Sequence, residues 1–256
     1  MKLSVEILDL IFSFLASDQE TITACSNDPV LSPIVERYLH HHIQVSFGDG
    51  WRDHDYSIRR DNLSKLVSEN PRIPYYVKIL QIRVHFDRHP EDEDLLLKRH
   101  LDGFAKTLLM FPVLECIMLN TSRRRICSWP DIFRAALEDR LNLPTLKEVH
   151  IVGNQESPCS LIDNRKNITN LVLSGSFSEA KRRSCDSPLP QLKSLTLLTH
   201  LSLLPSVMTH IKELQSLKCT ASSVGDLPEL LPVCSQTLKK LDIDLAYSPC
   251  KARGFF

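Results

Sequence analysis

Leu146-Lys147-Glu148-Val149-His150-Ile151, Ile168-Thr169-Asn170-Leu171-Val172-Leu173 and Leu192-Lys193-Ser194-Leu195-Thr196-Leu197 share one spacing of aliphatic residues. In each, a first aliphatic is followed by a second three positions on and a third two further. The i, i+2 pair is the period of an extended strand, whose alternate side chains point to one face. Working outward, the same spacing recurs as Val77-Leu80-Ile82 and Leu114-Ile117-Leu119 before these segments, and as Leu214-Leu217-Cys219 and Leu238-Leu241-Ile243 after them. Cysteine is a small apolar substitute in the sixth copy.

The regularity carries more than any one copy. The middle residues stand at 80, 117, 149, 171, 195, 217 and 241, so the last four steps are 22, 24, 22 and 24 residues. Steps of roughly 20–29 residues belong to leucine-rich repeats, in which each unit supplies one short strand to a stacked core. Proline stands two positions before the first aliphatic at Pro112, Pro144 and Pro190, where it ends a preceding helix and sets an extended entry. The intervening segments suit helices. Leu96, Leu97, His100, Leu101, Phe104 and Leu108 recur at helical steps within 93–110, behind Asp92, Glu93 and Asp94. Pro130 opens a second helical stretch that runs through Leu141, and Leu201, Leu204, Val207, Met208 and Ile211 outline a third.

The first residues read differently. Ile7, Leu10, Ile11, Phe14 and Leu15 form one stripe of a helix that Ser4 is placed to cap, and Leu8 and Phe12 widen its apolar surface. A helix this apolar needs burial, either on its own neighbours or against another protein. The stretch from Leu3 through Leu15, with Asp18 to Ser26 and Pro33 to Leu39 as second and third helices, resembles an F-box. Ser4 stands where that family carries proline, and Leu31 near its usual tryptophan.

An F-box followed by leucine-rich repeats is the layout of substrate receptors in SCF-type ubiquitin ligases. The resemblance implies that Leu3, Ile7, Leu10, Ile11, Leu15, Leu31 and Ile34 contact a Skp-type adaptor, which joins the chain to a cullin. It also implies that the repeats hold a protein to be ubiquitylated. The alternative is a free-standing repeat scaffold in which the F-box-like segment only caps the solenoid.

The expected fold is therefore α/β. A three-helix segment at 1–47 and a connecting segment with a helix at 48–76 precede a repeat solenoid at 77–256. About seven short parallel strands line its concave side and helices its convex side. The residue between the second and third aliphatics points away from the core, so Gln81, Met118, His150, Val172, Thr196, Lys218 and Asp242 form the expected target-binding column. After Ile243 the chain offers no amphipathic helix, which reads as a solenoid stopped short or completed by a partner.

Composition narrows the classes further. With 31 basic and 31 acidic residues, no global field favours nucleic acid or an anionic membrane. Basic runs at 123–125 and 181–183 read as solvated loops. No stretch has the ~18 apolar residues of a membrane span. Eight cysteines with no Cys-x-x-Cys pair suggest reduced thiols in the cytoplasm or nucleus, without a metal framework. His40-His41-His42 reads as a helix end, because neighbours diverge by about 100° on a helix. No nucleophile elbow, dinucleotide fingerprint or phosphate loop occurs, so neither catalysis nor a cofactor is expected.

Overall fold

The computed structural model describes residues 4–15, 19–47, 58–84, 90–121, 129–153, 165–175, 189–198, 213–220, 231–232 and 234–244. Three helices come first, α1 (Val5–Leu15), α2 (Gln19–Cys25) and α3 (Ser32–Leu39). Strands β1 (His42–Phe47) and β2 (Ile58–Arg59) follow, then α4 (Arg60–Glu69), α5 (Ile73–Tyr76), β3 (Ile79–Val84) and α6 (Pro90–Leu108). The chain continues through β4 (Cys116–Thr121), α7 (Asp131–Leu141), β5 (Glu148–Gly153), β6 (Asn170–Ser174), β7 (Ser194–Leu198), β8 (Ser216–Thr220) and β9 (Lys240–Asp244).

All nine strands belong to one parallel sheet in the order β2-β1-β3-β4-β5-β6-β7-β8-β9. From β3 onward each strand adds beside its predecessor, and every aliphatic spacing read from the sequence coincides with one of them. The middle residues Leu80, Ile117, Val149, Leu171, Leu195, Leu217 and Leu241 pair across the sheet without a slip. Period-two burial in β3 to β8 makes this register obligatory, since a one-residue shift would turn their apolar sets outward, whereas in β9 Leu241 and Ile243 stay 42% and 36% exposed.

The backbone just before each strand repeats as well. The carbonyl of Lys78 accepts from the amides of Glu115 and Cys116, and that of Glu115 from Lys147 and Glu148. The same double bond steps on from Lys147 to Thr169, Lys193 and Gln215, so each repeat is tied to the next before its strand begins.

Two strands lie outside the seven spacings. In β1, Ile43 and Val45 occupy the columns of Leu80 and Ile82, so the sheet starts at His42 and not at Val77. The missing signal is the first slot, which holds His40 where the other copies hold an aliphatic. His40 closes α3, its amide donating to the Glu36 carbonyl at 3.1 Å. Burial holds its imidazole below the ordinary histidine value, against the opposing charge of Glu36.

Among the described residues, α4, α6 and α7 pack on one face of the sheet. Leu63 and Val67 of α4, Leu101, Phe104 and Leu108 of α6, and Phe133, Leu137 and Leu141 of α7 join the buried strand residues in one core. Phe104 lies at its centre, 5.4 Å from the ring of Phe47 and 6.5 Å from that of Phe133. Pro130 stands at the N-cap of α7, one position before the first helical turn in which proline was expected. Its carbonyl accepts from the Arg134 amide at 2.8 Å. The stretches at 123–125, 181–183 and 201–211, and the chain after 244, lie outside the described residues.

Gly153 and Gly175 leave β5 and β6 with φ of 105° and 120°. A Cβ on Gly153 would stand 1.7 Å from the Thr121 carbonyl oxygen, and one on Gly175 would stand 2.3 Å from that of Gly153. Both the left-handed backbone and the close approach therefore require glycine.

Candidate functional site

Two surfaces collect the residues singled out by sequence. The first is α1. Ser4 receives the Ile7 amide on Oγ at 3.4 Å and the Leu8 amide on its carbonyl at 3.1 Å, as an N-cap does. The helix carries two apolar stripes, one residue or about 100° apart around its axis. Leu8, Phe12 and Leu15 turn inward and pack with Ile22, Cys25, Leu31, Ile34, Val35, Tyr38 and Leu39 in a small core of their own. Ile7, Leu10, Ile11 and Phe14 face outward, at 47%, 58%, 41% and 77% exposure.

A polar clasp fixes this orientation. The Asp9 carboxylate pairs with Arg37 at 2.9 Å and accepts from the Tyr38 hydroxyl at 2.7 Å, joining α1 to α3. The Phe12 and Tyr38 rings lie 6.1 Å apart beneath it. Burial and the Asp9 carboxylate both push the Tyr38 phenol above its usual range. Asn70 donates to Glu36, so the helices are also attached to the segment between α4 and α5.

Of the seven expected adaptor contacts, Ile7, Leu10 and Ile11 thus lie together on one exposed face. Leu15, Leu31 and Ile34 instead belong to the helical core, and Leu3 lies outside the described residues. Phe14, a member of the helical stripe outside the expected contacts, is the most exposed residue of the face.

The second surface is the sheet face opposite α4, α6 and α7. Gln81, Met118, His150, Val172, Thr196, Lys218 and Asp242 occur as consecutive partners in one column. All are half-buried. Gln44 of β1 extends the column by one strand and escaped the sequence reading with the rest of β1. The Ile43-Val45-Phe47 alternation was the signal that could have found it.

With its amide oriented to suit its neighbours, Gln81 donates to Gln44 Oε1 at 3.1 Å and accepts from Arg83 Nε at 3.0 Å. His42 sits beside this group. Burial lowers its pKa, opposed by a hydrogen bond with Gln81 and reinforced by the Arg83 charge. The column mixes amide, thioether, imidazole, aliphatic, hydroxyl, ammonium and carboxylate chemistry.

Further along the same face, Cys116, Glu148 and His150 come together although no metal or catalytic group was expected there. Burial, with a smaller contribution from the Glu148 carboxylate, pushes the Cys116 thiol up to about 12. An unassisted thiol so protonated is a poor nucleophile. The histidine run at 40–42 is split between the end of α3 and the start of β1.

No protein-family model and no curated protein matches the chain. No helix among the described residues is long and apolar enough to cross a membrane.

Proposed function

We propose that this chain is the substrate-recognition subunit of an SCF-type E3 ubiquitin ligase. In this reading the three N-terminal helices bind a Skp-type adaptor and through it a cullin, and the opposite end holds a target protein on the open face of leucine-rich repeats. The observation that carries the reading is the doubled apolar character of α1. One stripe closes the helical core, while Ile7, Leu10, Ile11 and Phe14 remain exposed side by side. Exposed apolar stripes of this kind suit helix-mediated docking. The mechanism is proximity: tethering the target beside the ligase raises its effective concentration near the transferred ubiquitin, so no catalytic residue is needed in this chain.

The runner-up is a repeat scaffold whose N-terminal helices only cap the sheet. The direct run of α3 into β1 and the Asn70–Glu36 hydrogen bond favour it. The exposed stripe opposes it, because a pure cap needs apolar residues only on the side it covers.

Co-expression with a Skp-type adaptor decides between them. A complex is expected for the native chain and its loss for Ile7→Asp or Ile11→Asp, with the sheet still folded. A soluble native chain that never co-purifies with the adaptor refutes the ligase reading.

A further inference from the structure

Three side chains of different donor chemistry converge on the open face of the sheet. Cys116 opens β4, Glu148 stands directly opposite it at the start of β5, and His150 is two residues further along β5. Adjacent strands lie about 4.8 Å apart, and i, i+2 residues share a face, so this register alone gathers the three side chains. The Cys116 sulfur, a Glu148 carboxylate oxygen and a His150 ring nitrogen all lie within 4.8 Å of one another. Cys116 is buried, yet it lies on the face opposite the hydrophobic core and belongs to none of its packing. Glu148 and His150 are partly exposed.

We propose that Cys116, Glu148 and His150 bind a divalent transition-metal ion of the zinc type. One sulfur, one imidazole nitrogen and one carboxylate oxygen make a mixed set that suits Zn²⁺ and does not suit Ca²⁺ or Mg²⁺, which take oxygen donors. Bonds of about 2.3 Å to sulfur and about 2.0–2.2 Å to nitrogen and oxygen place tetrahedral donors roughly 3.3–3.6 Å apart. With every donor pair already within 4.8 Å, no separation needs to close by more than about 1 Å. The His150 Nε2 to Glu148 Oε1 contact, now 2.5 Å, must open by a similar amount.

Binding replaces the S–H bond of Cys116 by a sulfur–metal bond and releases that proton to water. The ion keeps its charge, so no oxidant or reductant takes part. Three protein donors leave a fourth position for water or a further donor on the open face. The site stands whether or not α1 binds an adaptor.

Cobalt provides the test, since Co²⁺ occupies zinc sites and reports its ligands in its absorption. The full chain, reduced and stripped with a chelator, is titrated with Co²⁺. Saturation at one equivalent is expected, with a thiolate-to-cobalt charge-transfer band in the near ultraviolet that Zn²⁺ abolishes. Cys116→Ser should remove the band, while Cys219→Ser, on the core side of the sheet, should retain it.

His150→Ala should keep the band but weaken Co²⁺ binding by roughly tenfold or more, because even outer-shell changes cost about 10–100-fold. Circular dichroism checks the folding of each variant. If Cys116→Ser does not fold, His150→Ala and Glu148→Gln, both altered at partly exposed side chains, decide the matter. No band in the native chain, a band surviving in folded Cys116→Ser, or undiminished affinity in the His150 and Glu148 variants overturns the site.

Discussion

Phe12 and Phe14 stand two residues apart on one helix and should respond to truncation in opposite ways. Phe12 is 3% exposed and Phe14 is 77% exposed. Phe12→Ala empties the centre of a core whose buried members, among the described residues, are Phe12, Ile22, Ile34 and Val35. Such a truncation costs about 3–5 kcal/mol, enough to melt the three helices. Phe14→Ser removes surface that already meets water, so its effect on stability should stay within about 0.5 kcal/mol.

Its effect on adaptor binding should be large. A covered phenylalanine buries ~150–250 Å². At 77% exposure, roughly 120–190 Å² remains for a partner to cover. At ~25 cal/mol per Å² that surface is worth 3 kcal/mol or more, a loss of roughly 100-fold in Kd. Urea unfolding followed by circular dichroism measures the first quantity, and calorimetric titration with a Skp-type adaptor the second. Equal destabilisation by the two substitutions would show that Phe14 is internal. Unchanged adaptor affinity in folded Phe14→Ser would remove this face from the docking surface.

Gly153→Ala should destabilise the sheet by about 1–3 kcal/mol or more, since it places a side chain at φ 105° and against the Thr121 carbonyl. A fall in thermal midpoint tests this, and an unchanged midpoint would refute the strain. Tyr38→Phe, which deletes the hydroxyl held by Asp9, should cost the helical unit about 1 kcal/mol in urea unfolding. The imidazoles of His40, His41 and His42 all titrate below 6.5, chiefly through burial, so the folded state resists their protonation. Their contribution is complete above the unfolded value of 6.5 and is lost as pH falls from there through the lowered folded values. Thermal midpoints should therefore drop from pH 7 towards pH 5, and the triple substitution to asparagine should flatten that dependence.

The parallel sheet was legible from Val77 onward because each repeat supplies its own aliphatic triplet, and stacking requires those triplets in phase. Legibility failed at β1 for a local reason. His40 fills the first slot from the end of a helix, so Ile43, Val45 and Phe47 never completed the expected spacing. At the N-terminus the sequence marked a helix with too much apolar surface, yet Ile7, Leu10, Ile11 and Phe14 competed with Leu8, Phe12 and Leu15 as the buried side. Helical periodicity fits either stripe. Packing of Phe12 against Tyr38, and the Asp9 pairings with Arg37 and Tyr38, selected the second.

The cluster of Cys116, Glu148 and His150 was hidden for a different reason. Its cysteine lies 32 residues before Glu148, with no short ligand spacing to betray it. Only the pairing of β4 with β5 makes them neighbours. What the sequence determined by itself was the strand repeat, its register and the inward and outward columns, because burial with period two is a local property of the chain. Which apolar stripe of α1 faces water, and which distant donors share one face, depended on contacts between elements and was decided only by the tertiary structure.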